Sequence, residues 1–286
     1  MPTPSAPSSP FVTTAWLAEH LDDPTVIVVD GSWYLPTLNR NPRAEYNAAH
    51  IPGAVFFDVD AIADHSTGLP HMLPTLEMFT AAVSALGISD QHHIVVYDGS
   101  GLFSAPRVRW TFRTFGAKAV SLLEGGLPQW KAENRPLVAG ESSPKPAATF
   151  NAVLDPKAIA TLADVRAALD DGSALVVDAR PGERFRAEVS EPRPGLRSGH
   201  MPGSSNLPFD KLVVNGRLQP PEVLQDLFDE TGVEPSEPVI ATCGSGLSAA
   251  IVALALESAG HDGTRIYDAS WAEWGARDDL PVLTGR

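Results

Sequence analysis

Cysteine is nearly absent: the chain of 286 residues has one, Cys243. An intramolecular disulfide needs two and a multi-cysteine metal site more, so both are excluded, and any sulfur chemistry falls to Cys243 alone. Long apolar runs are missing too. Although 43% of the residues are hydrophobic, no run approaches the ~20 residues that cross a bilayer, and no membrane partner is expected. Basic residues are scarce, since 21 Lys and Arg face 35 Asp and Glu, for a formal charge of −14. The acidic residues are spread along the chain, so attraction to nucleic acid is not expected, and an anionic substrate would need a local basic cluster. Before Arg40 there is no Lys or Arg. Neither the basic start of a secretory signal nor an Arg-rich transit peptide can be drawn there, which makes the expected location cytoplasmic.

What is present is a repeat. Val26-Ile27-Val28-Val29-Asp30 returns as Ala174-Leu175-Val176-Val177-Asp178, and His50-Ile51-Pro52-Gly53 returns as His200-Met201-Pro202-Gly203. Tyr97-Asp98-Gly99-Ser100-Gly101-Leu102 matches Thr242-Cys243-Gly244-Ser245-Gly246-Leu247, with Asp98 standing where the second copy has Cys243. Glu124-Gly125-Gly126-Leu127 answers Asp268-Ala269-Ser270-Trp271. A period of roughly 145 residues is far longer than a solenoid unit of about 20–50, so it marks duplicated domains. Residues 138–151, rich in Pro, Ser, Ala and Gly, read as a linker between a domain over 1–137 and one over 152–286. Apolar strand-like runs alternate with helical patterns over Leu76 to Leu86, Ala105 to Phe115, Ala158 to Leu169, Pro221 to Thr231 and Leu247 to Ala259. That alternation predicts an α/β fold, each domain a mainly parallel sheet with helices on both faces.

Cys243 lies where a strand runs into Gly244-Ser245-Gly246 and then into a helix. In open α/β sheets such strand ends bind ligands, because turn amides and a helix N-terminus face an anion. A cysteine there is favoured as its thiolate, the nucleophilic form. A lone cysteine can equally be a small buried hydrophobe; the glycine-rich turn favours the nucleophile. A cysteine phosphatase would need an Arg after five intervening residues to grip the phosphoryl group, and that position is Ala249.

The duplication, the His-x-Pro-Gly segments, the cysteine confined to the second copy, and Cys243-Gly244-Ser245-Gly246-Leu247-Ser248 resemble the two-domain rhodanese superfamily. Within it the loop is similar to that of the 3-mercaptopyruvate sulfurtransferases, with Leu247 and Ser248 in place of Val and Thr; thiosulfate-using members tend to carry Arg and Lys inside the loop. Trp33-Tyr34-Leu35-Pro36, His71-Met72-Leu73-Pro74 and Tyr267-Asp268-Ala269-Ser270-Trp271 resemble the same subfamily.

The resemblance implies a sulfurtransferase in which Cys243 takes sulfur from a small-molecule donor as a persulfide and gives it to a thiol, a thioredoxin-like protein or cyanide. It implies that Arg184 and Arg193 bind substrate, with Gly244, Gly246, Leu247 and Ser248 forming the cradle, and that Asp60, His71 and Ser245 relay the donor's thiol proton. No cofactor or metal is expected. On the residues alone, Arg180, Arg184, Arg186, Arg193 and Arg197 could be a solvated loop in salt bridges, and His71 and Asp60 structural residues. His50 and His200 are expected to be turn residues, since both copies have them. Thiosulfate as donor, or a non-catalytic rhodanese module that binds a partner, are the other readings.

Overall fold

Two five-stranded sheets of the same design account for the repeat. The computed structural model describes residues 9–142, 146–234 and 236–285. The chain divides into two compact units, the first including Leu73–Asp155 and Asn215–Arg217, the second His65–Met72, Pro156–Val214 and the residues from Leu218 onward. In the first sheet the spatial order is Phe11–Val12, Val120–Leu123, His93–Tyr97, Val26–Asp30, Val55–Phe56, with every neighbour parallel. The second repeats it: Ile159–Ala160, Arg265–Tyr267, Val239–Thr242, Leu175–Asp178, Ser205–Asn206, again all parallel. The central strands are buried on both faces, as their continuous apolar runs require: Ile94, Val95, Val96 and Tyr97 are inaccessible, and Val239, Ile240 and Ala241 nearly so. The sheets therefore carry their chemistry at strand ends and in the loops that follow.

Helices span Leu76–Ala85, Ala105–Thr114, Leu162–Asp171, Pro221–Thr231 and Ala249–Ser258. Two starts fall later than the residue pattern, Ala249 for Leu247 and, by more, Leu162 for Ala158. Residues Pro156–Ala158 make a 3-10 turn and Ile159–Ala160 an edge strand, and the helix begins only after Thr161. The reason is a capping box: the Thr161 hydroxyl accepts from the Asp164 amide at 3.2 Å while the Asp164 carboxylate accepts from the Thr161 amide at 2.8 Å. Among the described residues, no helix is long and apolar enough to cross a membrane.

The His-x-Pro-Gly segments act as turn fasteners in both units. His50 Nδ1 pairs with Tyr46 O at 2.9 Å and its ring stacks on Tyr46; His200 Nδ1 pairs with Phe185 O at 2.9 Å and stacks on Phe185. Each histidine also exchanges backbone bonds with the last part of its unit, Val138 in one case and Leu283 in the other.

The two copies differ at one buried carboxylate. Asp30 and Asp178 end equivalent strands, and each accepts from the amide two residues on, Ser32 and Arg180, at 2.9 Å. Arg180 also gives Asp178 its charge, with Nη2 to Oδ2 at 2.6 Å. Ser32 offers none, and burial pushes the Asp30 carboxyl up from 3.8 to about 6, against the pull of the Ser32 hydrogen bonds. A raised folded-state pKa stabilises fully below the unfolded value and loses that stabilisation as pH rises through the folded one. The shift corresponds to roughly 3 kcal/mol. Asp30→Asn should therefore unfold with a stability that falls less, or rises, between pH 4 and 6 relative to the parent, as urea denaturation at each pH would show; parallel curves would refute the assignment.

Candidate active site

The strand Val239–Thr242 delivers Cys243 to the sheet's carboxyl edge, and the next helix begins at Ala249. Cys243 is 2% exposed. Its amide donates to Ser270 Oγ at 3.1 Å, and its carbonyl accepts from the Trp271 amide at 2.9 Å. The loop turns through Gly246, whose φ of +80° matches the +101° of Gly101 in the first unit. Glycine adopts that region freely, so both loops curl alike.

The first unit shows what such a loop binds. The Asp98 carboxylate, fully buried, accepts from four amides: Ser100 at 2.8 Å on Oδ1, and Phe103, Ser104 and Ala105 at 2.7, 2.9 and 2.8 Å on Oδ2. That is an anion nest at a helix N-terminus. Ser245, Ser248 and Ala249 are the counterparts of Ser100, Ser104 and Ala105 in the second loop, which is one residue shorter because Phe103 has no equivalent.

The five arginines of the 180–197 segment separate into distinct tasks. Arg180 is buried, bound to Asp178 and to Glu191 Oε1 at 2.9 Å, with its guanidinium 4.1 Å from the Trp271 ring centroid. Arg197 donates to the backbone carbonyls of Trp274, Gly275, Arg277 and Leu280. Arg186 pairs with Glu188 at the surface. Arg184 and Arg193 are the two that reach the cysteine loop: a Cβ added to Gly244 would meet Arg184 Nη2 at 3.1 Å and Arg193 Nη1 at 3.8 Å. Gly244 thus leaves room for two guanidinium groups over the loop. Arg184 is held by Glu191 Oε2 at 2.5 Å, and Arg193 Nη2 donates to Ser245 Oγ at 3.2 Å.

Ser245 also meets His71, whose Nδ1 lies 3.0 Å from Ser245 Oγ. Both residues are buried and both belong to the second unit. Arginine can only donate, so Ser245 Oγ accepts from Arg193; with the Nε2–H tautomer, His71 Nδ1 accepts the Ser245 proton. His71 has φ of +59°, a conformation that non-glycine residues adopt chiefly where surrounding contacts impose it. Asp60 lies in the first unit, where its Oδ2 accepts from Trp33 Nε1 at 2.9 Å. The structure therefore brings Cys243, Gly244, Ser245, Arg184, Arg193 and His71 around one loop. Sequence reasoning passed over two groups: Glu191, whose place between Arg184 and Arg193 was a signal, and Ser270, which differs from Gly126 in the repeat. Among the described residues, no three His, Cys, Asp or Glu side chains cluster as a metal site.

Comparison with known proteins shows the family. The rhodanese-like domain family matches twice, over residues 13–133 and 161–277. The chain is 46% identical to the 3-mercaptopyruvate sulfurtransferase of Escherichia coli (strain K12) over 273 residues, covering 95% of this chain and 97% of the relative. It is 46% identical to that of Homo sapiens, covering 96% of each. The thiosulfate/3-mercaptopyruvate sulfurtransferase 1 of Arabidopsis thaliana is 41% identical, with 96% of this chain and 78% of the relative covered. In three dimensions it is similar to SseA from Escherichia coli, a 3-mercaptopyruvate sulfotransferase of the "Rhodanese" fold, with TM-score 0.86, 43% identity, and 92% and 99% coverage.

Glu191 bridges two arginines with a side chain only 1% exposed. Removing it takes the anion from Arg184 and one of two anions from Arg180, and breaking a buried ion network in this way costs about 3–5 kcal/mol. Glu191→Ala should lose that much in urea denaturation and Glu191→Gln distinctly less; equal losses would mean that the charge is irrelevant.

Proposed function

The chain belongs to the rhodanese-like family, and from that membership we propose that it is a 3-mercaptopyruvate sulfurtransferase whose sulfur-accepting nucleophile is Cys243. The observation that carries the reading is the replacement within the repeat: Cys243 occupies the place at which the first unit's loop holds the Asp98 carboxylate with four amides. A nest built for an anion favours a thiolate, and afterwards a persulfide.

Arg184 and Arg193, beside Gly244, would hold the donor's carboxylate and keto oxygen through charge-assisted bonds. With the donor so placed, the Cys243 thiolate attacks its sulfur. The S–S bond forms, the C–S bond breaks, and its electron pair leaves on the three-carbon fragment as the enolate of pyruvate, which takes up a proton from solvent. The donor's thiol proton passes to Ser245 as Ser245 gives its own to His71, along the 3.0 Å contact between them. An acceptor thiolate, of a small thiol or a thioredoxin-like protein, or cyanide, then attacks the outer sulfur and restores the Cys243 thiolate. Both steps are displacements at sulfur, so neither calls for an external oxidant.

A second donor has specific support, because the Arabidopsis relative is named for both thiosulfate and 3-mercaptopyruvate. The proton separates the two. Mercaptopyruvate brings a thiol proton to be removed, whereas thiosulfate brings none at neutral pH.

Two outcomes follow. Incubation with 3-mercaptopyruvate should add one sulfur, about 32 Da by mass spectrometry, to the Cys243 peptide, and Cys243→Ser should abolish the adduct and turnover; a Cys243→Ser protein with parental turnover would end the proposal. His71→Ala should slow mercaptopyruvate turnover by about 10²–10⁴-fold and thiosulfate turnover far less. Equal slowing with both donors would reduce His71 to a support for the loop.

A further inference from the structure

We propose that Ser270 is a positioning residue for Cys243, held in an unfavourable backbone conformation so that its hydroxyl meets the cysteine's amide. Ser270 is fully buried and has φ of +52°. Its hydroxyl accepts from the Cys243 amide at 3.1 Å and donates to Tyr267 O at 2.8 Å. The hydroxyl thus ties the first residue of the nucleophile loop to the end of the neighbouring strand, Arg265–Tyr267.

The first unit supplies the comparison. Gly126 holds the equivalent position with φ of +55°, and the following residue makes the same bond in both copies, Leu127 N to Asp98 O at 3.0 Å and Trp271 N to Cys243 O at 2.9 Å. A left-handed backbone suits glycine, and a side chain there is strained. In the first unit a side chain would also collide, since a Cβ on Gly126 would meet Asp98 O at 2.7 Å and Gly101 Cα at 2.8 Å. Contacts that short do not occur, so the second unit must hold its loop farther from this position in order to carry Ser270. The departure from glycine costs stability. It occurs in the copy with the cysteine, at the residue whose hydroxyl reaches that cysteine's amide. Non-glycine residues persist in such conformations where the surroundings impose them, often at functional sites.

The inference rests on Cys243 being the nucleophile, and it adds a residue that acts through the loop without touching the donor. Losing the hydroxyl leaves a buried amide without its partner and frees the loop to turn away from the geometry it needs at attack. Orientation errors of this kind appear in the rate of the chemical step more than in donor affinity.

The experiment compares Ser270→Ala with Ser270→Gly in the full chain. Both lose the hydroxyl, but only alanine keeps a side chain in the left-handed backbone. We expect the glycine variant to melt several degrees above the alanine variant. We expect both to lose about tenfold in kcat, as for one hydrogen bond, with KM for 3-mercaptopyruvate within about threefold of the parent's. Alkylation of Cys243 by iodoacetamide at pH 7 should slow in parallel. Equal melting temperatures for the two variants would show that the backbone is not strained. Parental kcat and alkylation rate in both, whatever their stability, would overturn the positioning role. If the parent itself gains no sulfur from any donor, the sulfurtransferase reading fails, while the melting and alkylation comparison still decides the role of Ser270.

Discussion

In the first unit, a carboxylate buried at the carboxyl end of a central strand is the constraint around which the loop is arranged. Water cannot solvate it there, so backbone amides must. The loop after the strand meets that demand by turning through a glycine with positive φ and opening a helix, which aims several amides at one point. There the Asp98 carboxylate is tethered by four short bonds. In the second, the same place belongs to a side chain whose negative form is a nucleophile. One substitution, Cys243 where the first unit has Asp98, distinguishes the two loops at this place.

The surroundings of the two loops have diverged accordingly. Over the first, a Cβ on Gly99 would lie 2.0 Å from Tyr34 Oη, and Tyr34 is itself fixed by Glu45 at 2.9 Å and Arg40 at 2.8 Å. Gly99 is needed because a phenol lies against it. Over the second, Gly244 faces the guanidinium groups of Arg184 and Arg193. Arg184 is brought in by a buried relay of charge: Asp178 binds Arg180, Arg180 binds Glu191, and Glu191 binds Arg184. Removing any one would unbalance two positive and two negative groups. The relay also has an aromatic wall, Trp271, the residue after Ser270, so the arginine network and the backbone beneath Cys243 share a neighbour.

The turn after the edge of the central sheet shows how one motif serves two ends. Asp30 and Asp178 accept the same amide bond from the residue two ahead. With serine in that place the carboxylate stays uncompensated and its pKa rises; with arginine it becomes the root of the ion relay. The arginine was visible in the chain, yet five arginines in eighteen residues gave no means of telling which was buried.

The duplication, the parallel α/β character and the cysteine loop were legible in the sequence because each rests on local rules: apolar runs for buried strands, glycines where φ must be positive, a polar turn between strand and helix. The start of the helix Leu162–Asp171 lies four residues beyond the apolar pattern, since the capping box at Thr161 competes with apolar periodicity over short distances. The family resemblance also implies Arg184, Arg193, His71 and Ser245 as site residues. What only the tertiary structure decided is which groups meet. His71 precedes Ser245 by 174 residues and stands 3.0 Å from it; Ser270 follows Cys243 by 27 and carries its amide. Spacing in a chain sets the type and order of elements. It holds no information about which side chains converge across them, because that is fixed by how sheets and loops pack, through contacts distant in sequence.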